Sequence, residues 1–374
     1  MKSFVVSKDL LGTASSLRID GKSLKKVKES EDDTVIGSSS CMPWSMESLF
    51  SVWEMPVPDI VSPAMRASYE SVHGPYVDWS RALGRDRFVK HLKGLVKEVE
   101  ERFSRIGESP YPSILAEGRK TLARLQPSLV NRERVDELLK EGESGVLRSF
   151  LPEEGSHLPI TRYSHATATG RLTVQTGPKI LSLNKQHRNV LTSRFRKGKI
   201  AMIDFVSLEP RTALLLTRKT APRDIYEEMG KETSSSLSRA KLKVATISSL
   251  YGSGHSDPAT MAAVGKFFGV REIQERYLTG DRITNLYGRP LAPEESRLRL
   301  PYFVQSTSVD VALMGFGKVL RSYLEVVPLF VIHDALVVDI ERDLYDELSR
   351  SGIEVDIDPL GKYYLSVQSV EESI

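Results

Sequence analysis

Residues 199–211 read KIAMIDFVSLEPR, and residues 329–340 read LFVIHDALVVDI. The first is a short apolar run that ends on a carboxylate, Asp204, and continues through Ser207 and Leu208 to Glu209, Pro210 and Arg211. Its length and composition predict a buried strand with a turn into a helix behind it. Proline fits a helix's first turn, where its missing N–H has no intrahelical partner to lose, and Glu209 suits that positive end. The second stretch is two apolar runs flanking His333, Asp334 and Ala335. It predicts two strands with His333 and Asp334 at the tip of a hairpin. Helical segments lie between the two stretches, among them residues 236–250. Strands and helices alternate without a regular βαβ spacing, so the sequence points to α+β rather than a doubly wound sheet.

Working outward, 374 residues allow roughly two or three domains. A hydrophobic share of 40% is ample for a sizeable core, and 27% charged residues argue against wholesale disorder. The net charge of +3 is too small to imply a nucleic-acid partner by itself. A lone cysteine, Cys41, excludes an intramolecular disulfide framework and a Cys-clustered zinc site, and a reducing, intracellular setting is the simplest reading. The most apolar stretch, residues 326–338, is too short to cross a membrane and carries His333 and Asp334 inside it. The start, MKSFVVSKDLLG, lacks the long apolar run of a secretory signal.

The first 65 or so residues are mixed in character. The acidic run at 29–33 and the Gly-Ser stretch at 37–40 read as exposed loops, and no chemistry is assigned there. From Asp86 the pattern turns helical, with Phe88, Leu92, Leu95, Val99 and Phe103 at spacings of 4, 3, 4 and 4. Further helices are expected around 113–125 and 132–139. The sequence has no internal repeat and no low-complexity tract.

Four features carry chemistry. Asp204 closes a predicted buried strand, where an unpaired carboxylate is costly. Asp334 alone reads more readily as part of a polar turn than as a ligand. Two aspartates delivered by adjacent strands, however, make a hard oxygen site for Mg²⁺, and two such ions can clamp the attacking and leaving oxygens of a phosphoryl displacement. Arg239, Lys243, Ile247 and Tyr251 recur every four residues, so two cations, an apolar side chain and a ring share one drifting helical stripe. Such a face suits phosphates and a base or sugar, although spacing alone favours the solvated side of an amphipathic helix. Thr169-Gly170-Arg171-Leu172 precedes residues 185–199, which hold six Lys or Arg and no acid: Lys185, Arg188, Arg194, Arg196, Lys197 and Lys199. That density suits a phosphate backbone, or a solvated basic strip.

Taken in order, these features resemble the family A DNA polymerases, the bacterial DNA polymerase I type, over residues 161–367. Thr169-Gly170-Arg171-Leu172 resembles the family's TGRL segment, whose arginine contacts the primer terminus. Residues 204–211, DFVSLEPR, resemble motif A, usually DYSQIELR. Arg239, Lys243, Tyr251 and Gly252 resemble motif B, RxxxKxxxxxxxYG, and His333-Asp334 resembles motif C, HDE. Asp224-Ile225-Tyr226 is similar to the DIH segment before the fingers helix. Gln305-Ser306-Thr307 with Asp310 is similar to the QGTAAD helix, and Arg297, eight residues before Gln305, falls where the family has another DNA-contacting arginine.

The resemblance implies a right-hand architecture with an antiparallel-sheet palm (161–211 and 291–374), helical fingers (212–290) and a helical thumb (67–160). Residues 1–66 leave no room for a proofreading exonuclease domain, which implies that any exonuclease, helicase or processivity factor is a separate protein. The implied activity is template-directed addition of dNTPs to a primer 3′-OH in the cytoplasm of a bacterial or phage-infected cell, with no membrane role. Asp204, Asp334 and a main-chain carbonyl near Phe205 are implied to hold two Mg²⁺ ions, with Mn²⁺ able to substitute. Arg239 and Lys243 are implied to grip the triphosphate, with Lys243 as proton donor to pyrophosphate. Ile247 and Tyr251 are implied to pack near the nucleotide, and Glu209 to act as the steric gate against a ribose 2′-OH. Arg171, Arg297, Gln305 and His333 are implied to contact the primer-template.

The chain departs from the family in several places. Ala335 stands where motif C usually has Glu, Ile247 where Phe or Tyr lies beside the sugar, Ser248 where Gly follows, and Pro301 where Asn is expected; the fingers are short around motif B. These departures resemble a diverged, phage or mobile-element form. Two alternatives remain open. A single-subunit RNA polymerase shares the aspartates and the motif B helix, but Glu209 argues against it. A catalytically inactive primer-template scaffold gains weight from Ala335 and Ile247, against retention of both aspartates, Arg239 and Lys243.

Overall fold

The computed structural model describes residues 4–6, 16–20, 23–27 and 34–36, then 64, 68, 86, 87 and 90, and residues 110–370 apart from short stretches at 143–144, 153–157, 165–166, 219, 234–236, 252–256, 281–282, 292 and 294. The chain divides into two units, Met1–Ala116 and Glu117–Ile374. Within the first unit, strands β1 (Phe4–Val6), β2 (Ser16–Asp20), β3 (Ser23–Val27) and β4 (Thr34–Ile36) form a sheet in the order β3-β2-β1-β4. Among the described residues β1–β4 is the one parallel pair. These strands depart from the loop character expected of the first 65 residues; their signal is the alternation of Leu17 and Ile19 with Arg18 and Asp20, followed by two residues before a second short run. The expected loops at 29–33 and 37–40 lie outside the described residues. So does most of the 86–103 helix, of which residues 86, 87 and 90 are helical.

The second unit is mixed helix and sheet. It has β5 (Leu129–Val130), β6 (Arg162–Ser164), β7 (Thr173–Thr176), β8 (Leu191–Thr192), β9 (Gly198–Phe205), β10 (Ile283–Thr284), β11 (Pro290–Leu291), β12 (Val327–Ile332), β13 (Ala335–Glu341), β14 (Ile353–Ile357) and β15 (Gly361–Ser369). Helix α1 (Tyr111–Leu122) crosses the boundary between the units. The remaining helices are α2 (Arg132–Lys140), α3 (Leu208–Thr217), α4 (Ile225–Glu232), α5 (Arg239–Tyr251), α6 (Pro258–Phe267), α7 (Val270–Tyr277), α8 (Arg299–Ser322) and α9 (Arg342–Ser351). The central sheet has five strands in the order β12-β13-β9-β15-β14, every pair antiparallel. Residues 199–211 and 329–340 are therefore neighbours, β9 against β13.

Both faces of this sheet are covered, as its apolar strands require. On one face Phe205 packs against Phe316 of α8 and Tyr363 of β15, with ring centroids 5.4 and 5.9 Å apart. Helix α8 comes that close because Gly315 lacks a side chain; a Cβ there would lie 2.5 Å from the Phe205 ring. Helix α8 is buried over most of its length, on apolar residues such as Phe303, Val311 and Phe316 and also on the polar Ser306, Thr307, Ser308 and Asp310. The other face carries a second core of Val135, Leu138, Phe150, Ile180, Phe330 and Val337, against which Met202 packs. Met202 and Asp204 are two apart on β9 and so share this face. Both are part-buried, Met202 against the apolar cluster and Asp204 next to the strand's end.

Candidate active site

Asp204 sits one residue from the end of β9, opposite Ala335 of β13 and Ser366 of β15. Asp334 occupies the two-residue connection between β12 and β13, where the sequence placed it. The Phe205 amide donates to the Asp334 carbonyl at 3.2 Å, which ties the two strand ends together. Two carboxylates thus meet in a part-buried place. Burial, then the charge of Asp334, pushes the Asp204 carboxyl up to about 7, against the pull of Lys185 and Lys243. Burial also raises Asp334, and the charge of Glu209 adds to it, while His333 and Arg171 pull the other way. Among the described residues, Ser207 and His333 are the two non-glycine positions with positive φ, 55° and 53°. Each lies in the turn beside one of the aspartates. Left-handed backbone at non-glycine residues is costly and concentrates at functional sites, which makes this pairing informative.

A second group of side chains converges on Glu209, in the first turn of α3. The Tyr251 hydroxyl, at the end of α5, donates to Glu209. Arg171 donates to the other carboxylate oxygen at 2.8 Å. With the Gln305 amide oriented by its neighbours, its oxygen accepts from Arg171 at 3.0 and 3.2 Å, and its NH₂ donates to Thr169 Oγ1 at 2.8 Å. Burial, then the adjacent Glu209, holds the Tyr251 phenol far above its ordinary range, so it stays a proton donor. Residues from four separate places in the sequence (169–171, 209, 251 and 305) therefore form one network.

Helix α5 presents Arg239, Lys243 and Ile247 on its exposed side, as the spacing of four predicts, with Tyr251 part-buried at the end. Lys243 is close enough to Asp204 to lower its pKa. Arg239 is ion-paired with Asp224 and lies over the Tyr226 ring, 5.0 Å from its centroid. Asp224 also caps α4, accepting from the amides of Tyr226 and Glu227 at 3.0 and 3.1 Å. Burial pushes its carboxyl up, but Arg239 and these amides outweigh that and hold it low. The Phe205 ring points into the core, so only its backbone faces the aspartates' end of the sheet. Arg297 is exposed and pairs with Glu295 at 2.6 Å. His333 is exposed at the hairpin tip.

The basic run at 185–199 is not one uniform strip. Arg194 pairs with the buried Asp339 of β13 at 3.2 Å and donates to the Pro127 carbonyl at 2.8 Å. Arg188 is buried with a guanidinium N–H on the Met202 sulfur at 3.6 Å. Lys185 is the member whose charge reaches Asp204.

Sequence reasoning missed a buried polar cluster behind the Gly170 loop. Arg289 and Asp310 form an ion pair at 2.9 Å with both side chains almost fully buried, and Asn285 donates to Asp310 at 2.6 Å. Gly170, at φ 74°, passes so close that a Cβ would fall 2.6 Å from the Arg289 guanidinium carbon. The Asn285-Leu286-Tyr287-Gly288-Arg289 segment carries turn residues, but nothing local shows that its arginine is buried.

Among the described residues no group of three or more His, Cys, Asp or Glu is placed to hold a metal ion. The centre is a carboxylate pair, and its chemistry fits a divalent cation: hard oxygen donors whose mutual repulsion a cation relieves. No helix among the described residues is long and apolar enough to cross a membrane. No protein-family model matches the chain, and no curated protein matches it.

Proposed function

We propose that the chain is a template-directed DNA polymerase that adds dNTPs to a primer 3′-OH, built on the right-hand plan. The observation that carries this reading is the meeting of Asp204 and Asp334 at adjacent strand ends, beside the Arg171–Glu209–Tyr251 network and the cationic face of α5. In this reading Asp204 and Asp334 hold Mg²⁺ and the Phe205 carbonyl adds a neutral oxygen. When bound, Mg²⁺ supplies Lewis acidity for the primer hydroxyl and neutralises charge on the departing phosphates. Lys243 approaches the aspartates from α5, bringing a positive charge and a proton source towards the pyrophosphate. Arg239 exchanges its pairing with Asp224 for the triphosphate. That exchange is modest in cost, because the pair is exposed to solvent.

Glu209, braced by Tyr251 and Arg171, crowds the place where a ribose 2′-OH would sit, so dNTPs are preferred. Arg171 and Gln305 face the primer terminus, and Arg297 and His333 the duplex backbone. Sequence is read by base pairing and backbone shape, not by side chains on base edges. Ala335 gives a second reading some support: a primer-template scaffold lacking one carboxylate of motif C. The experiment that separates them is extension of a labelled primer on a DNA template with Mg²⁺ and either dNTPs or NTPs, with Asp334→Asn beside it. The expected result is dNTP addition that Asp334→Asn abolishes. Tight primer-template binding with no extension would replace the enzyme by the scaffold, and a preference for NTPs would replace it by an RNA polymerase.

A further inference from the structure

Strand β12, which delivers His333 and Asp334, is the outermost strand of the central sheet. An outermost strand leaves a row of backbone N–H and C=O groups to be satisfied by something other than another strand. At Val331 that partner is one side chain. The Tyr163 hydroxyl donates to the Val331 carbonyl at 2.8 Å and accepts from the Val331 amide at 2.9 Å. A phenol can do both at once, because its oxygen is donor and acceptor. Further along the same edge, the Pro328 carbonyl accepts from the Gln126 amide at 2.8 Å.

Tyr163 lies on β6, which pairs with β7, and the connection between them carries Thr169, Gly170 and Arg171. That connection is braced internally: the Thr167 hydroxyl donates to the Arg171 carbonyl and the Gly170 amide to the Thr167 carbonyl, each at 2.9 Å. The Tyr163 ring packs against the core that includes Phe330, Ile332 and Val337. One residue is thus anchored by its ring in that core, and by its hydroxyl on a backbone position three residues before Asp334.

We propose that Tyr163 is a positioning residue whose hydroxyl holds the edge strand delivering Asp334 in register with the hairpin delivering Arg171. This rests on the polymerase reading for the roles of Asp334 and Arg171, but the linkage itself does not. Burial raises the phenol's pKa, so the hydroxyl keeps the proton that it donates to the Val331 carbonyl.

The test is Tyr163→Phe in the full chain, which keeps the ring and removes both hydrogen bonds. Four quantities are read: hydrogen exchange over residues 327–334, Mn²⁺ affinity by electron paramagnetic resonance, the Mg²⁺ dependence of primer extension, and thermal stability. The expected result is faster exchange at Val331, with Mn²⁺ affinity and half-activating Mg²⁺ each worse by about tenfold, as when a support behind a metal ligand is lost. KM for dNTP should stay within about twofold, since the α5 face is untouched. A variant that only melts earlier, with unchanged Mn²⁺ affinity and Mg²⁺ dependence, would overturn the proposal. So would a wild-type Val331 amide that exchanges as fast as open edge amides, which is informative even if the variant does not fold. If the wild type extends no primer yet Tyr163→Phe weakens Mn²⁺ about tenfold, the polymerase reading falls and the positioning role stands.

Discussion

Replacing Asp204 with Asn should stabilise the metal-free protein at alkaline pH. An unfolded aspartate ionises near pH 4, whereas burial and Asp334 hold this carboxyl neutral up to about 7. Between those values the folded chain keeps a proton that the unfolded chain has lost, so stability falls as pH rises through that window and stays low above it. At about 1.36 kcal/mol per pH unit, a displacement from 3.8 to about 7 caps the effect near 4 kcal/mol. Asp204 is only part-buried, so solvent screening trims this to roughly 1–2 kcal/mol. For a unit of this size that corresponds to about 3–6 °C in Tm. The assay is thermal melting of wild type and Asp204→Asn in chelator, at pH 5 and pH 8. About a third of the gain is expected at pH 5, since the loss accrues roughly linearly across the window, and all of it at pH 8. Excess Mg²⁺ should raise the wild type and leave Asp204→Asn unmoved. A variant less stable than wild type at pH 8, or a difference that does not grow with pH, would refute the claim that two crowded carboxylates destabilise the protein in chelator.

Other substitutions probe the surrounding network. Asp310→Ala removes the carboxylate that faces the buried Arg289 guanidinium, and denaturant unfolding should show a loss of about 3–5 kcal/mol; a loss below about 1 would mean the pair is not a main support of the cluster. Gly170→Ala forces a side chain into left-handed backbone and onto Arg289, so primer-template affinity should fall along with stability, the backbone term alone being about 1–2 kcal/mol. Glu209→Ala removes the carboxylate braced by Arg171 and Tyr251, and the ratio of NTP to dNTP incorporation should rise roughly tenfold to hundredfold. An unchanged ratio would take the steric gate away from Glu209.

Much of the site was legible because its signals are local. A strand that carries Asp204 at its end but one and turns into a helix with Glu209 and Pro210 in its first turn is written in the thirteen residues 199–211. The hairpin at His333 and Asp334 needs only two apolar runs and a polar break. The stripe through Arg239, Lys243 and Ile247 follows from the 3.6-residue period. What stayed hidden is long-range. Nothing near Tyr163 says that its hydroxyl meets a backbone position 168 residues away. Nothing near Arg289 says that it will be buried on Asp310. The basic run at 185–199 shows the converse failure: charge density alone cannot separate Arg194, committed to Asp339, from Lys185, which reaches Asp204. The strands β14 and β15 also escaped the reading, although Ile353, Val355 and Ile357 alternate cleanly.

The departure at Ala335 takes on a physical meaning in this geometry. Residues directly opposite in an antiparallel pair project to the same face, and Ala335 is opposite Asp204. A glutamate at 335 would add a third carboxylate to a face where burial and Asp334 already hold Asp204 near 7. With alanine there, 335 is buried, and beside Asp204 the further carboxylate acting on Asp334 is Glu209, which Arg171 partly neutralises. The chain thus keeps the two carboxylates that could bind a cation and omits the one that would most increase their repulsion without it. On this argument Ala335→Glu should lower the stability of the metal-free protein at pH 8 and make it depend more steeply on Mg²⁺, without changing which carboxylates hold the ion.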